Sequence, residues 1–143
     1  MSKISIVYWS GTGNTEIMAN KILEGIESAG SSAELKKVAD ASVEDIKDSN
    51  VLVLGCPSMG DEQLEESEME PFMESIESEI KGKKVALFGS YGWGDGQWMR
   101  SWVEKIEDLG GNLINDGLII NYEPDEDGKN QCIELGKEII KYA

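Results

Sequence analysis

The stretch Ile4-Ser5-Ile6-Val7-Tyr8-Trp9-Ser10-Gly11-Thr12-Gly13-Asn14-Thr15-Glu16-Ile17-Met18 decides how the chain is built. Residues 4–8 form an apolar run of strand length. From Ile17 on, apolar residues recur at helical spacing (Ile17, Met18, Ile22, Leu23, Ile26) and stop at Ala29-Gly30. The turn between them holds two glycines, which let the backbone bend sharply and approach a ligand. Ser10, Thr12 and Thr15 bring hydroxyls and Asn14 an amide. The free N–H groups and dipole of a helix start favour an anion at the same place. This pattern predicts a phosphate-binding loop; its plainer alternative is a glycine turn with a polar cap. It differs from other phosphate loops, since no Lys follows the glycines and Glu16 stands where a dinucleotide fingerprint needs a third glycine.

The same alternation continues outward. Ala33–Val38 reads as a weaker strand, and Ser42-Val43-Glu44-Asp45 as a capping box opening a short helix. Val51–Gly55 and Val85–Gly89 are continuous apolar strands. Met69, Phe72, Met73, Ile76 and Ile80 predict one helix with Pro71 in its first turn. Met99, Trp102, Val103 and Ile106 mark another. Leu113-Ile114 and Leu118–Ile120 make an interrupted fifth strand, and Cys132, Gly136, Ile139 and Ile140 give the last helix its face. Five strands alternating with five helices, the strands apolar on both faces, predict an α/β protein with a parallel sheet covered on both sides. Ligands of such sheets lie beyond the carboxyl ends of the strands, so the loops after the first, third and fourth strands should carry function.

The 143 residues suit a single domain spanning 1–143. No apolar run reaches the ~20 residues of a membrane helix, and the start does not read as a signal peptide. A cytoplasmic location is expected. Net charge is −15, which argues against nucleic acid as a partner. Nine carboxylates and no Lys or Arg lie between Asp61 and Ile80. They read either as a solvated helix face or as a docking surface for basic partners. There is no His, which removes imidazole acid–base work and His-based metal sites. Cys56 and Cys132 are too few for a cluster within one chain and suit small buried residues. Any redox chemistry therefore sits on an organic cofactor, with no metal and no catalytic residue expected.

The loop after the third strand reads Cys56-Pro57-Ser58-Met59-Gly60-Asp61-Glu62, and that after the fourth Ser90-Tyr91-Gly92-Trp93-Gly94-Asp95-Gly96. Met59 and Trp93 are unusual in exposed loops. Together they can sandwich a planar ring, or Trp93 can fold back onto the core. Trp98 and Trp102 fall on a helical stripe and read as core, and Trp9 as a wall of the first loop. The first loop lacks a cation, yet a distant carboxylate at 10 Å costs only ~0.4 kcal/mol in water. Each hydrogen bond to a charged group contributes roughly 1.5–3 kcal/mol, so five or six converging donors outweigh the net charge.

Tyr8–Thr15, Gly55–Glu62 and Ala86–Gly96 resemble the three FMN loops of short-chain flavodoxins, and the likeness in length and element order covers essentially the whole chain. The resemblance implies a flavodoxin-like, doubly wound five-stranded parallel sheet of order 2-1-3-4-5. It implies a low-potential one-electron carrier that binds FMN noncovalently and works through the semiquinone/hydroquinone couple. By resemblance, Ser10, Gly11, Thr12, Gly13, Asn14 and Thr15 hold the phosphate. Met59 and Trp93 flank the ring, and Glu62 accepts from its pyrimidine N–H. Backbone at Gly60, Asp61 and Glu62 and at Ser90, Tyr91, Gly92 and Trp93 meets its polar edge, with Pro57, Ser58, Gly94 and Asp95 alongside. A flip of the 60–61 peptide would answer the ring's change of protonation. Pro57 stands where some relatives carry a phosphate-reaching Ser. The loop 121–124 also approaches the site by this likeness. Partners would be oxidoreductases with basic docking patches, met by a monomeric carrier.

Rival readings are weaker. A receiver domain needs acidic residues where Tyr8-Trp9-Ser10 and Gly55-Cys56-Pro57 stand, and a Cys phosphatase needs Arg where Glu62 stands. An FMN-dependent quinone or NAD(P)H reductase of the same fold needs a substrate pocket over the ring, and no long insertion is present to build one. A non-flavin acidic scaffold would stay colourless with FMN.

Overall fold

In the computed structural model, which describes residues 3–60 and 62–143, each predicted strand–helix unit is present. The strands are β1 (Ile4–Tyr8), β2 (Glu34–Lys37), β3 (Val51–Gly55), β4 (Lys84–Tyr91), β5 (Asn112–Leu113) and β6 (Leu118–Asn121). The helices are α1 (Asn14–Ser28), α2 (Val43–Lys47), α3 (Met69–Ser75), α4 (Glu77–Ile80), α5 (Gln97–Asp108) and α6 (Glu126–Ile140). All pairings are parallel in the order β2-β1-β3-β4-β5, with β6 also on β4. This is the predicted 2-1-3-4-5 sheet, its fifth strand divided in two.

The division has a local cause. Lys84 and Val85 pair with Asn112 and Leu113, and Phe88 to Tyr91 pair with Leu118 to Asn121. Between these stretches the Asn115 side chain acts as a peptide. Its Oδ1 accepts from Leu87 N (3.1 Å) and its Nδ2 donates to Leu87 O (3.1 Å). Pairing with β6 also makes β4 longer than expected. Ser90 and Tyr91, read from sequence as loop residues, close the strand instead.

Strand alternation sorts the core into two layers. Ile4, Ile6, Val53 and Phe88 face α1 and α6. Val7, Leu52, Leu54 and Leu87 face α2, α3, α4 and α5, where Trp98 and Trp102 are buried as predicted. The α1–α6 crossing is made by two glycines. A Cβ on Gly136 would lie 2.2 Å from Ile22 O, and one on Gly25 2.1 Å from Ile133 O. No side chain fits between those backbones.

The capping box at Ser42 and Asp45 is formed, with Asp45 N donating to Ser42 Oγ (3.4 Å) and Ser42 N to Asp45 Oδ2 (3.0 Å). The single helix expected over 69–80 is two, because the chain leaves helical geometry at Ile76. There the Ser75 hydroxyl donates to Phe72 O (2.6 Å), which also accepts from Ile76 N (3.2 Å). Among the described residues no helix is long and apolar enough to cross a membrane.

Candidate functional site

The first loop hangs between two fixed points. Trp9 N donates to Gly55 O (3.0 Å), continuing the β1–β3 pairing, and Ile17 N donates to Gly13 O (3.0 Å), the first bond of α1. The amides of Asn14 and Thr15 lie ahead of that bond, among the free donors of a helix start. Gly13 is left-handed (φ 100°), and nothing lies within 4 Å of where its side chain would be. Ser10 Oγ accepts from Gly13 N (3.2 Å) and Glu16 N (3.3 Å), which tightens the loop and leaves the hydroxyl proton to donate. Thr15 points the other way. It is buried, and its hydroxyl shares a 3.0 Å bond with Ser90 Oγ, joining the loop to β4.

The second loop runs against β4, with Cys56 N donating to Phe88 O and Ser58 N to Ser90 O. It then turns back through paired bonds between Met59 and Gln63 (2.9 and 2.8 Å). Gly60 (φ 52°) and Glu62 (φ 58°) are both left-handed in this turn. Asp61 lies outside the described residues, and so does the 60–61 peptide. Glu62 Oε1 accepts from Gly96 N (3.0 Å) and Gln97 N (2.9 Å), so its carboxylate caps α5 while Oε2 is not used by the cap.

Glu65 differs from its acidic neighbours. It is buried, and its carboxylate accepts from the amides of Ser67 (2.8 Å), Glu68 (2.7 Å) and Met69 (2.9 Å) and from the Ser67 hydroxyl. Burial alone would raise its pKa, but these donors outweigh burial and hold it below the usual carboxylate range. Glu65 organises the start of α3 and is not one of the solvent-facing charges. Glu66, Glu68, Glu70 and Glu74 are exposed. Cys56 and Cys132 are both buried thiols, pushed up to about 12 by burial, and therefore neutral.

The three loops meet. Gly11, Thr12 and Asn14, then Pro57, Ser58 and Met59, then Ser90, Tyr91 and Gly92 border one cleft of about 290 Å³ with Trp9 and Tyr122. It opens at the carboxyl ends of β1, β3 and β4. Trp93 is not on its lining. That side chain is 65% exposed, neither folded onto the core nor facing the cleft. Gly94 and Asp95 lie in the outer part of the third loop, with Asp95 paired to Arg100 (3.0 Å). A cation missed in the sequence stands on the far side of the first loop: the β1–β2 register sets Lys37 beside Tyr8, on a second crevice bounded by residues 9–13. Tyr122 was reachable only through the loop it sits in.

Residues 6–136 match the family model for flavodoxin. The chain belongs to the flavodoxin family. A flavodoxin of Clostridium beijerinckii is 52% identical over 136 residues, 95% of this chain and 98% of that one. One from Megasphaera elsdenii is 47% identical over 138 residues, 96% and 98% of the two chains. The solution structure of two-electron reduced Megasphaera elsdenii flavodoxin aligns with a TM-score of 0.90, covering 96% of this chain and 98% of that one. Flavodoxins bind FMN and transfer electrons to and from redox partner proteins without being enzymes, and the expected cofactor and role hold for this chain. The cleft lies at the β1/β3 switch point, a rule for which flavodoxin is itself a standing example. The residues present suit the cofactor. Free amides and hydroxyls at the α1 start match a phosphate, and the aromatic and thioether lining matches a planar ring.

Proposed function

We propose that the chain is a single-domain, monomeric, cytoplasmic carrier of low potential, with residues 10–15 as its phosphate cradle and the cleft between loops 57–62 and 90–95 as its ring site. The observation that supports this most is the convergence of three separately encoded loops on one cleft beside the free amides of α1. Bound FMN supplies the redox chemistry, taking up and releasing electrons one at a time. The protein's part is to bind, orient and tune. Ser10, Thr12 and the amides of Asn14 and Thr15 hold the phosphate, and Thr15 fixes the loop to β4 through Ser90. Met59 covers one side of the ring, with Trp93 moving in from solvent on the other. Glu62 offers Oε2 to the ring N–H while Oε1 keeps α5 capped. The exposed carboxylates around Glu66 and Glu70 disfavour added negative charge and present an acidic face to basic docking patches. A quinone or NAD(P)H reductase is not favoured.

Titration of the apoprotein with FMN and with riboflavin tests this. Even two hydrogen bonds to the phosphate, at roughly 1.5–3 kcal/mol each, separate the two ligands by about 10²–10⁴ in Kd. Equal affinities would refute the phosphate cradle. Stepwise reduction of the complex, followed by its visible spectrum, should give two resolved one-electron stages; a single two-electron stage would refute the carrier role.

A further inference from the structure

A groove of about 420 Å³ lies between α3–α4 and α5, and helical spacing builds both of its walls. Glu70, Met73, Glu74 and Glu77 follow at i, i+3, i+4 and i+7 on one side. Trp98, Ser101, Trp102 and Lys105 repeat that spacing on the other. Met73, Trp98 and Trp102 are buried and, with Leu64, make an apolar floor; the polar members stand on the rim. Two of the rim carboxylates are already engaged. Glu77 pairs with Lys105 (3.3 Å), and Glu62, at the start of α5, caps that helix. Glu70 and Glu74 are exposed, one turn apart, and pair with no Lys or Arg among the described residues. Trp98 Nε1 donates to Cys56 O (3.1 Å), whereas Trp102 Nε1 is buried without an acceptor among the described residues. Buried donors are ordinarily paired.

We propose that this groove docks a basic segment of a redox partner, one apolar side chain seated over Met73 and Trp102 and a Lys or Arg on either side of it bound to Glu70 and Glu74. That the partner is a redox protein rests on the proposed carrier role. An apolar centre inside a charged rim is the anatomy of a protein interface. The charges choose the occupant. At net charge −15 a second copy of this chain is repelled, and the two free carboxylates call for cations. A peptide also brings backbone carbonyls, the kind of acceptor that Trp102 lacks. An acidic run by itself attracts any cation. The groove adds a demand for an apolar residue between the cations, and it fixes where the partner sits, against α5 and next to Glu62.

The probes are two acetylated, amidated peptides, Lys-Leu-Lys and Lys-Ser-Lys, titrated into the FMN-loaded protein at low salt and followed through its backbone amides by NMR. Lys-Leu-Lys should shift Leu64, Met73, Ser101 and Trp102. Lys-Ser-Lys should bind about tenfold more weakly, the size of burying one leucine. Glu70→Gln with Glu74→Gln should weaken the leucine peptide about threefold or more and flatten its salt dependence. Ser101→Arg, a change at an exposed rim position, should displace the peptide and leave FMN affinity unchanged. Equal affinity for the two peptides overturns the proposal, because acidic attraction alone then explains the binding. So do shifts confined to residues 65–68, on the acidic run outside the groove, or no shifts with either peptide. A dimer that Ser101→Arg disperses makes a second copy the occupant and overturns it as well. Lys-Leu-Lys seated in the groove of a protein that takes up no FMN supports the docking site and refutes the carrier role, so the two failures are told apart.

Discussion

Replacing Gly136 by Ala should destabilise the protein although alanine is the better helix former. In the middle of α6 the propensity gain is ~1 kcal/mol. Against it stands the added Cβ, 2.2 Å from Ile22 O, 2.9 Å from Ile26 N and 3.0 Å from Gly25 Cα. These are backbone atoms of α1 and have no rotamer to change, so α6 must withdraw by ~1 Å to regain ordinary contact. A gap of that size removes about a quarter or more of the dispersion well between facing atoms. Leu135 and Ile139 on α6 and Ile22 and Ile26 on α1 are buried at this interface. At roughly 1.5–3 kcal/mol of burial each, the loss comes to ~1.5–3 kcal/mol. The net effect is a destabilisation of about 0.5–2 kcal/mol, at the lower end of the usual range for overpacking. For a chain of this length that lowers Tm by roughly 2–7 °C. Gly128→Ala is the control on the same helix. Its Cβ would meet side-chain atoms only, Ile120 Cδ1 at 3.2 Å and the capping Asp125 Oδ1 at 3.3 Å, which need give by only a few tenths of an ångström, and the substitution should be within about 0.5 kcal/mol of neutral. Urea unfolding of the three proteins decides the matter. A Gly136→Ala midpoint at or above the wild type would refute the close-approach argument.

Other substitutions test the site's supports. Glu65→Gln should cost about 1–3 kcal/mol, because an amide NH₂ then faces the donors of Ser67, Glu68 and Met69. Its folded-state pKa is depressed, so the wild-type contribution is present above the unfolded value near 4.3 and is lost as pH falls through the lower folded value; acid unfolding curves should differ most at neutral pH and draw together as the pH falls below that folded value. Glu66→Gln with Glu68→Gln should raise the second one-electron potential of the FMN-loaded protein by up to ~35 mV at low salt, taking ~0.4 kcal/mol per charge at 10 Å, and less as salt increases. A potential that does not move in a redox titration would count against the electrostatic tuning. Asn115→Leu leaves Leu87 N and O without their strand partner and should lower stability by ~2–4 kcal/mol in denaturant unfolding.

Much of this architecture was legible before any coordinates, because two periodicities carry it. Val51–Gly55 and Val85–Gly89 could only be buried strands, and the stripes of α1 and α5 could only face a sheet. The parts that were not legible depend on distant partners. Ser90 and Tyr91 look like loop residues until β6 pairs with them. Glu65 looks like one more surface charge in an acidic run, and only its four donors make it a buried cap. The break at Ile76 leaves Met69, Phe72, Met73, Ile76 and Ile80 all buried, so the periodicity of the stripe does not register it. In the site, the first loop was readable from its glycines and hydroxyls, but Thr15 turned toward Ser90 and Trp93 toward solvent. Lys37 and Tyr122 reach the region through strand register, which motif spacing does not encode.

The Asn115 splice has a consequence for how these molecules behave when crowded. An open sheet offers its outermost strands to neighbours, and association follows where a long run of amides and carbonyls stands bare. One border here is the four-residue β2, with Glu34, Lys36 and Lys37 along it. The opposite border comes in two offset pieces, joined by a side chain that turns inward to satisfy Leu87. An incoming strand would find only four residues of register on one margin and a broken line on the other, so the sheet offers a second copy little length to pair with.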